Sequence, residues 1–287
     1  MKKRDLIETV MFMVFLLAAC TSIIAVFFIC LFLLANGLPA IVKIGAAHFM
    51  LGKEWAPQDI PAAYGIFTMI MGSIYITAGA IVTGVPIGIF TAVFLAKFCP
   101  KGMYSLLKPC VELLAGIPSI VYGFFGMMLM VPFIKNHLGG TGFSILTASI
   151  LLGIMILPTI IVISENAIRA VPDSYYEGSL ALGASHERSV FFVILPAARS
   201  GILASVILGI GRAIGETMAV IMVAGNQARM PDSVLDGIRT LTTNIVLEMG
   251  YATGTHWDAL IANGTVLFIF VLIINLIFSI ITRTKQS

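Results

Sequence analysis

An arginine and a glutamate lie inside an otherwise apolar stretch of this sequence. Arg212 and Glu216 are the only charged residues between positions 200 and 224. A charged side chain at the centre of a membrane costs about 2.5–3.5 kcal/mol even on forgiving insertion scales, so such residues are retained mainly where they serve a pathway or a partner. These two residues are therefore the first candidates for chemistry.

The spacing of the pair limits what it can do. Residues four apart share one face of a helix, so a continuous helix predicts that Arg212 and Glu216 pair. A helix from Arg199 to Arg212 is about 20 Å long, which places Arg212 near the middle of the membrane. In one interpretation the guanidinium binds an anionic substrate and Glu216 holds or releases it. In the other, the pair locks this span to its neighbours. Small residues beside the pair leave room for close packing or a pathway: Gly209, Gly211 and Gly215.

Three hydroxyl-bearing side chains are further candidates for a polar pathway, namely Ser119, Tyr122 and Thr217. Each is ambiguous alone, since a hydroxyl within a span often bonds to a carbonyl of its own helix. No CxxC pair occurs among the four cysteines, and His137 and His256 have no evident partner ligands. We therefore expect no metal and no cofactor bound by this chain.

A polar segment between two apolar stretches carries helix start and stop signals. Pro172 prevents the preceding helix from continuing. Ser174 and Glu177 have the spacing of a capping box, and Asp173 is a competing cap. Gly183 is a suitable left-handed stop. The segment predicts a short, self-contained helix.

This predicted helix has an apolar surface suited to docking. Its apolar and aromatic residues are Tyr175, Tyr176, Leu180 and Leu182. A second short helix is expected over 184–194, ended by Pro196. The alternative is a helix lying on the membrane surface, but the segment lacks the Lys-rich polar face of such helices. A rigid knob that fits a socket on another protein is the favoured interpretation.

The segment resembles the signature loop of ABC-importer permeases. That signature reads Glu-Ala-Ala, three residues, Gly, nine residues, Ile-x-Leu-Pro. The corresponding positions here are Glu177-Gly178-Ser179, Gly183 and Val193-Ile194-Leu195-Pro196. Both spacings match, with departures at Gly178, Ser179 and Val193. The resemblance implies a coupling helix near 175–188 that docks in a groove of an ATPase subunit, through Tyr175, Tyr176, Glu177, Leu180 and Gly183.

The sequence contains no Gly-x4-Gly-Lys-Ser/Thr phosphate loop, since Gly52-Lys53 is followed by Glu54. We therefore expect a non-catalytic transport subunit, with ATP bound and hydrolysed on a separate partner.

A narrower resemblance is to PstC-type permease subunits of bacterial phosphate importers. It rests on the runs 212–220, 222–226, 116–126 and 52–57, and the Thr-Met-Ala-Val after Glu216 distinguishes it from the related PstA type. It implies that Arg212 and Glu216 act in phosphate transport. It also implies a PstA-like second permease, PstB-like ATPase subunits and a PstS-like extracytoplasmic phosphate-binding protein.

More than one substrate and more than one energy source are compatible with the sequence. From the residues alone, one buried arginine suits phosphate, sulfate or a carboxylate. A secondary transporter driven by an ion gradient would also use the pair, but it leaves the capped loop without a role. An intramembrane enzyme is disfavoured, because the spans contain no His cluster, paired carboxylates or Ser–His arrangement.

Composition identifies the elements that must position these residues. The chain is 59% hydrophobic and 11% charged, whereas roughly a quarter of a soluble domain is charged. Lipid is therefore the surrounding medium, and a net charge of +3 gives no reason to expect nucleic acid. Six segments are long enough to span a membrane, so an all-α membrane protein is predicted: 10–35, 66–96, 113–134, 138–164, 200–224 and 259–282. The family resemblance implies the type I, MetI-like permease architecture.

The first segment is too long for a signal peptide, so we expect an uncleaved span. Residues 1–65 then form that span and the first outer loop, and 66–284 form the permease core. Pro86, Pro118 and Pro158 predict kinks or breaks within spans. The distribution of Lys and Arg in the loops predicts an inner-membrane protein with both termini in the cytoplasm. The basic residues on that side are Lys2, Lys3, Arg4, Lys97, Lys101, Lys108, Arg169, Arg188, Arg199, Arg283 and Lys285, against Lys43, Lys53, Lys135, Arg229 and Arg239.

Overall fold

The computed structural model describes the backbone of residues 2–284 and the side chains of residues 7–277 and 280. Among the basic residues used to orient the chain, Lys2, Lys3, Arg4, Arg283 and Lys285 lie outside the described side chains. The described chain is helical apart from its connections and one hairpin.

The helices are α1 (Lys2–Ile44), α2 (Ala46–Leu51), α3 (Phe67–Val93), α4 (Lys101–Gly116), α5 (Ser119–Phe125), α6 (Val131–Leu138), α7 (Ile145–Arg169), α8 (Asp173–Ala181), α9 (His186–Ser189), α10 (Leu195–Gly215), α11 (Met218–Val223), α12 (Leu241–Glu248) and α13 (Thr255–Thr284). Short π-helical turns, Phe94–Phe98, Gly126–Met130 and Val190–Ile194, extend α3 and join α5 to α6 and α9 to α10. Strands β1 (Trp55–Ala56) and β2 (Ala63–Tyr64) form an antiparallel hairpin in which Trp55 faces Tyr64.

Within the described residues, six helical stretches are long and apolar enough to cross a membrane, which confirms the predicted all-α membrane fold. They are Ile7–Ile44, Phe67–Phe98, Ser119–Leu138, Ile145–Arg169, His186–Gly215 and Thr255–Ile277. Several predicted boundaries are wrong. The first span runs on to Ile44, so Pro39 lies inside α1 instead of in a loop. The fourth begins at Ile145, not at position 138, because the preceding connection contains glycines with positive φ.

The third predicted span joined two separate helices. Residues 113–116 are the end of α4, and α5 begins only at Ser119. Pro118, which cannot donate a backbone hydrogen bond, separates the two helices in extended conformation. Pro86 and Pro158 instead lie within α3 and α7.

The fifth predicted span also differs at both of its ends. Its helix begins at His186 and ends at Gly215, and a separate helix, α11, follows. Pro196 does not end a short helix as predicted. It lies in the first turn of α10, directly after a π-helical turn, within the helical stretch that runs from His186 to Gly215.

Helix α7 is the centre of the bundle and packs most extensively against α3 and α10. Its contact with α3 is close because a Cβ at Gly153 would collide with Thr83. Helix α1 lies apart from this core and packs on α13, where Thr265 Oγ1 donates to the Leu33 carbonyl over 2.9 Å.

The two ends of the bundle carry different elements. We call the end that carries α8 the α8 end, and the end that carries α12 and the β1–β2 hairpin the α12 end. Helix α7 runs from the α12 end, where Ile145 N bonds to the Asp236 carbonyl, to the α8 end at Arg169.

Candidate functional site

Helix α10 breaks where the candidate pair was predicted. Gly215 is its last residue, and Glu216 adopts an extended conformation with φ −70° and ψ 130°. The Glu216 carboxylate then accepts hydrogen bonds from the backbone N–H groups of Thr217 and Ala219, each over 3.2 Å. These amides open α11 and have no helical partner, so the carboxylate stabilises the restart of the helix.

The predicted pairing of Arg212 with Glu216 is wrong. Among the described side chains, no ion pair joins them, because the break takes Glu216 off the face that Arg212 occupies. The guanidinium instead donates one long hydrogen bond, 3.4 Å, to Thr159 Oγ1 of α7. A guanidinium has five N–H donors, so most of those of Arg212 are available to a ligand.

An open glycine face lies beside Arg212. A Cβ added at Gly211 or Gly215 would meet nothing within 4 Å, and the same is true of Gly116 at the end of α4. Gly209, predicted on the same stripe, differs: its Cβ would lie 3.1 Å from Ile160. The chain therefore leaves space around Arg212 and packs tightly one turn away from it.

The predicted hydroxyls lie at two neighbouring helix breaks. Tyr122 is buried in α5, and its hydroxyl donates to the Leu114 carbonyl over 2.9 Å across the break at Pro118. Ser119 is the first residue of α5 and is half-buried. Thr217 Oγ1 donates to the Gly215 carbonyl at the other break over 3.3 Å. Because α5 packs on α11, the two breaks come together; broken helices meeting at mid-depth are a recurrent way to build transporter sites.

Sequence reasoning missed the contribution of α12. Thr242 Oγ1 donates to the Glu216 carbonyl at the break over 3.1 Å, although this threonine lies in what was predicted to be a loop. A signal was available: Thr240 and Thr243 have capping-box spacing, and the structure forms that box.

The predicted docking helix exists as α8, followed by a turn and the short helix α9. Gly183 has φ +85°, which confirms the predicted left-handed stop. The predicted capping box is wrong, because the helix starts at Asp173 with Pro172 at the cap, which puts Ser174 inside the first turn. Ser185 caps α9 instead, accepting from Arg188 N over 3.3 Å.

Helix α8 buries none of its residues. Tyr175, Leu180 and Leu182 are exposed, the last by 91%. Glu177 is also exposed. Tyr176 differs, since its hydroxyl bonds to His186 Nδ1 over 2.7 Å and its ring packs in a buried cluster. Tyr176 therefore fixes α8 to α9. The exposed side chains of Tyr175, Leu180 and Leu182 present an apolar surface.

A buried ionic cluster, not predicted from the sequence, is centred on Glu165, one turn before the end of α7. Glu165 is fully buried and accepts hydrogen bonds of 2.8 Å from Lys108 Nζ, Arg169 Nε and the Tyr104 hydroxyl. Burial opposes the charge on Lys108, but its bond to Glu165 and the charge of that carboxylate raise the pKa of Lys108 above its usual value. The cluster joins α4 to α7 at the α8 end.

The remaining observation concerns possible metal ligands in the described part of the chain. No group of three or more His, Cys, Asp or Glu side chains there is arranged to hold a metal ion.

A family comparison decides what this arrangement belongs to. Residues 84–284 match the family described as the inner membrane component of binding-protein-dependent transport systems. This chain is a member of that family. The permease is 39% identical to YqgH, a probable ABC transporter permease protein of Bacillus subtilis, over 86% of this chain and 83% of the relative. It is 32% identical to the phosphate transport system permease protein PstC of Haemophilus influenzae over 86% and 84%. The PstC of Xylella fastidiosa is 34% identical over 79% and 76%.

Solved structures support the same fold. The permease resembles a chain of an inward-facing MetNI methionine ABC transporter with a TM-score of 0.57 and 22% identity, over 77% of this chain and 94% of the other. A bacterial alginate ABC transporter gives a TM-score of 0.65 at 17% identity over 95% of each chain. The MetI-like architecture and the PstC resemblance predicted from the sequence are thus confirmed. The permease is a multi-pass inner-membrane subunit of an ABC importer.

Proposed function

We propose that this permease carries inorganic phosphate into the cytoplasm, and that Arg212 binds the ion during its passage. The observation that carries the proposal is a cationic side chain with unused donors beside the open glycine face of Gly211 and Gly215. Curated relatives with 32–34% identity bear the name of phosphate permeases, which supports phosphate as the cargo.

The chemistry of Arg212 suits a tetrahedral oxyanion. A guanidinium stays charged and offers two parallel N–H groups to two oxygens of one anion. Its single hydrogen bond to Thr159 is long, so an anion can replace it at small cost. Glu216 holds α11 in register through its amides instead of neutralising the arginine. Because Glu216 does not pair with Arg212, the positive charge of the guanidinium is available to an anion.

The two ends of the bundle take different partners in this proposal. The α8 end faces the cytoplasm together with both termini, and Tyr175, Leu180 and Leu182 dock into an ATPase subunit that binds and hydrolyses ATP. The α12 end faces outward and receives phosphate from an extracytoplasmic binding protein. A second, PstA-like permease covers the open glycine face, so that phosphate passes between the two permeases.

Uptake by the complete complex tests this function. The complete complex is reconstituted in liposomes: this permease, the PstA-like second permease, the ATPase subunits and the binding protein. ATP-dependent entry of labelled phosphate is then compared with that of labelled sulfate. We expect phosphate uptake that requires ATP. Replacement of a charge-assisted hydrogen bond costs about 1.5–3 kcal/mol, so Arg212→Gln should lower uptake by roughly ten- to 150-fold.

A matched variant separates charge from geometry. Arg212→Lys keeps the charge but loses the planar pair of donors, so it should retain part of the uptake that Arg212→Gln loses. Recovery of the assembled complex by size-exclusion chromatography verifies that each variant is folded. Normal uptake by Arg212→Gln would refute the role of Arg212, and ATP-dependent sulfate uptake without phosphate uptake would refute the substrate.

A further inference from the structure

A partly buried hydrogen bond links the helix break to the connection between α11 and α13. Thr242 is 7% exposed, and its hydroxyl donates to the Glu216 carbonyl, which lies where α10 has ended and α11 has not begun. Buried carbonyl groups are nearly always hydrogen-bonded, because leaving one unpaired costs free energy. Thr242 thus supplies a partner that the interrupted helix cannot provide.

The position of Thr242 is fixed by the first turn of α12. Thr240 and Thr243 form a reciprocal capping box around it. Leu241 N donates to Ser73 Oγ of α3 over 3.1 Å, and Asn263 Nδ2 of α13 donates to the Leu241 carbonyl over 3.1 Å. Three helices therefore hold this turn, and the Thr242 hydroxyl cannot move without them.

The last turn of α12 is attached to both connections at the α12 end. Glu248, which is 6% exposed, accepts hydrogen bonds of 2.8 Å from Trp55 Nε1 in the hairpin and from His256 Nε2. Its other oxygen accepts from Arg239 over 2.6 Å, and Arg239 Nε also donates to the Asn226 carbonyl over 3.0 Å. The hairpin and the connection after α11 therefore converge on this one carboxylate.

We propose that Thr242 is a positioning residue that couples the outer connections to the break beside Arg212, with α12 as the rigid link. A protein that docks on the hairpin or on the connection after α11 displaces α12 through Glu248. Thr242 then moves the Glu216 carbonyl, and with it the start of α11. This inference rests on the proposed function, because it takes the break as the substrate pathway and a binding protein as the docking partner.

The chain offers a control in Thr265. Its hydroxyl is also buried and lies 2.9 Å from the Leu33 carbonyl of another helix and 3.0 Å from the Ile261 carbonyl of its own helix, and it joins α13 to α1 away from the break. If Thr242 only adds stability, valine at either position should have the same effect. If Thr242 positions the break, only valine at position 242 should disturb the response to the docking partner.

The test uses the complete importer in liposomes and measures how much the loaded binding protein stimulates ATP hydrolysis. Thr242→Val removes the hydroxyl and keeps the shape, whereas Thr242→Ser keeps the hydroxyl. A net hydrogen bond of about 0.5–1.5 kcal/mol predicts a roughly two- to tenfold lower stimulation for Thr242→Val. Thr242→Ser and Thr265→Val should respond as the unmodified complex does, with rates normalised to the assembled complex.

Unchanged stimulation in Thr242→Val would overturn the inference, and so would an equal loss in Thr265→Val or no rescue by Thr242→Ser. A wrong substrate assignment can be distinguished from a wrong role of Thr242. If a sulfate-loaded protein stimulates the unmodified complex and a phosphate-loaded one does not, the cargo assignment fails. The comparison between positions 242 and 265 is then made with sulfate and still decides the role of Thr242.

Discussion

The buried carboxylate of Glu165 leads to a stability prediction that can be worked out from its contacts. It accepts three hydrogen bonds, from Lys108, Arg169 and Tyr104. Glu165→Gln preserves the shape of the side chain but replaces one acceptor oxygen by an NH2 group. That group points at a donor, so at least one of the two cations loses its hydrogen bond to position 165.

The expected cost follows from how deeply the partners are buried. Removal of one member of a fully buried ion pair costs about 3–5 kcal/mol. The Lys108 side chain is 16% exposed and that of Arg169 is 43% exposed, so water compensates part of the loss. We therefore expect a loss of about 1–3 kcal/mol in the free energy of unfolding. At about 2–4 °C per kcal/mol, the midpoint of thermal unfolding falls by roughly 2–12 °C.

Glu112 supplies the matched control. It lies 3.7 Å from the same Lys108 ammonium, but its side chain is 56% exposed. An exposed ion pair contributes at most about 1 kcal/mol, so Glu112→Gln should leave the midpoint nearly unchanged. Both variants are purified in one detergent and unfolded while near-ultraviolet circular dichroism is recorded. Equal midpoints for the two variants would refute the assignment of Glu165 as the joint between α4 and α7.

Two further predictions concern the docking helix and the open glycine face. Glu177→Lys reverses an exposed charge on α8 and should reduce co-purification of the ATPase subunits. Glu187→Lys on α9 should not reduce it. If both variants co-purify with the same amount of ATPase, docking through α8 is contradicted. Gly211→Val adds a side chain to the open face and should abolish uptake with thermal stability unchanged, whereas Gly209→Val should lower stability, because its Cβ lies 3.1 Å from Ile160. Normal uptake by Gly211→Val would show that substrate does not pass this face.

Hydropathy predicts the number of spans well and their limits poorly. Length and apolar composition are enough to recognise each span, because lipid requires about 20 apolar residues in a row. They are not enough to place the break between α4 and α5, since residues on both sides of Pro118 are apolar. The amphipathic helix α4 therefore merged with the following span in the prediction.

The site shows a different limitation. The pairing of Arg212 with Glu216 assumed that helical periodicity continues through Gly215. A glutamate that caps the next helix has the same sequence spacing as a glutamate that pairs with the arginine, so periodicity alone cannot separate them. The contribution of Thr242 was missed for a tertiary reason. Helix α12 belongs to a connection that carries charged residues, yet two of those charges, Arg239 and Glu248, pair with each other.

The arrangement of these bonds indicates where the permease can change conformation. Helix α7 is fixed by close apolar packing, with Ile156 and Ile160 fully buried. The break before α11 is bridged by the hydrogen bonds of Glu216 and Thr242, whereas α11 itself packs in the same apolar core, with Ala219 and Val223 fully buried. Each of these hydrogen bonds contributes about 0.5–1.5 kcal/mol, so rearranging two or three of them costs an amount similar to the 1–3 kcal/mol by which coupled sites typically influence each other. We therefore expect a conformational change to start at the break that Glu216 and Thr242 bridge, while α7 stays in place.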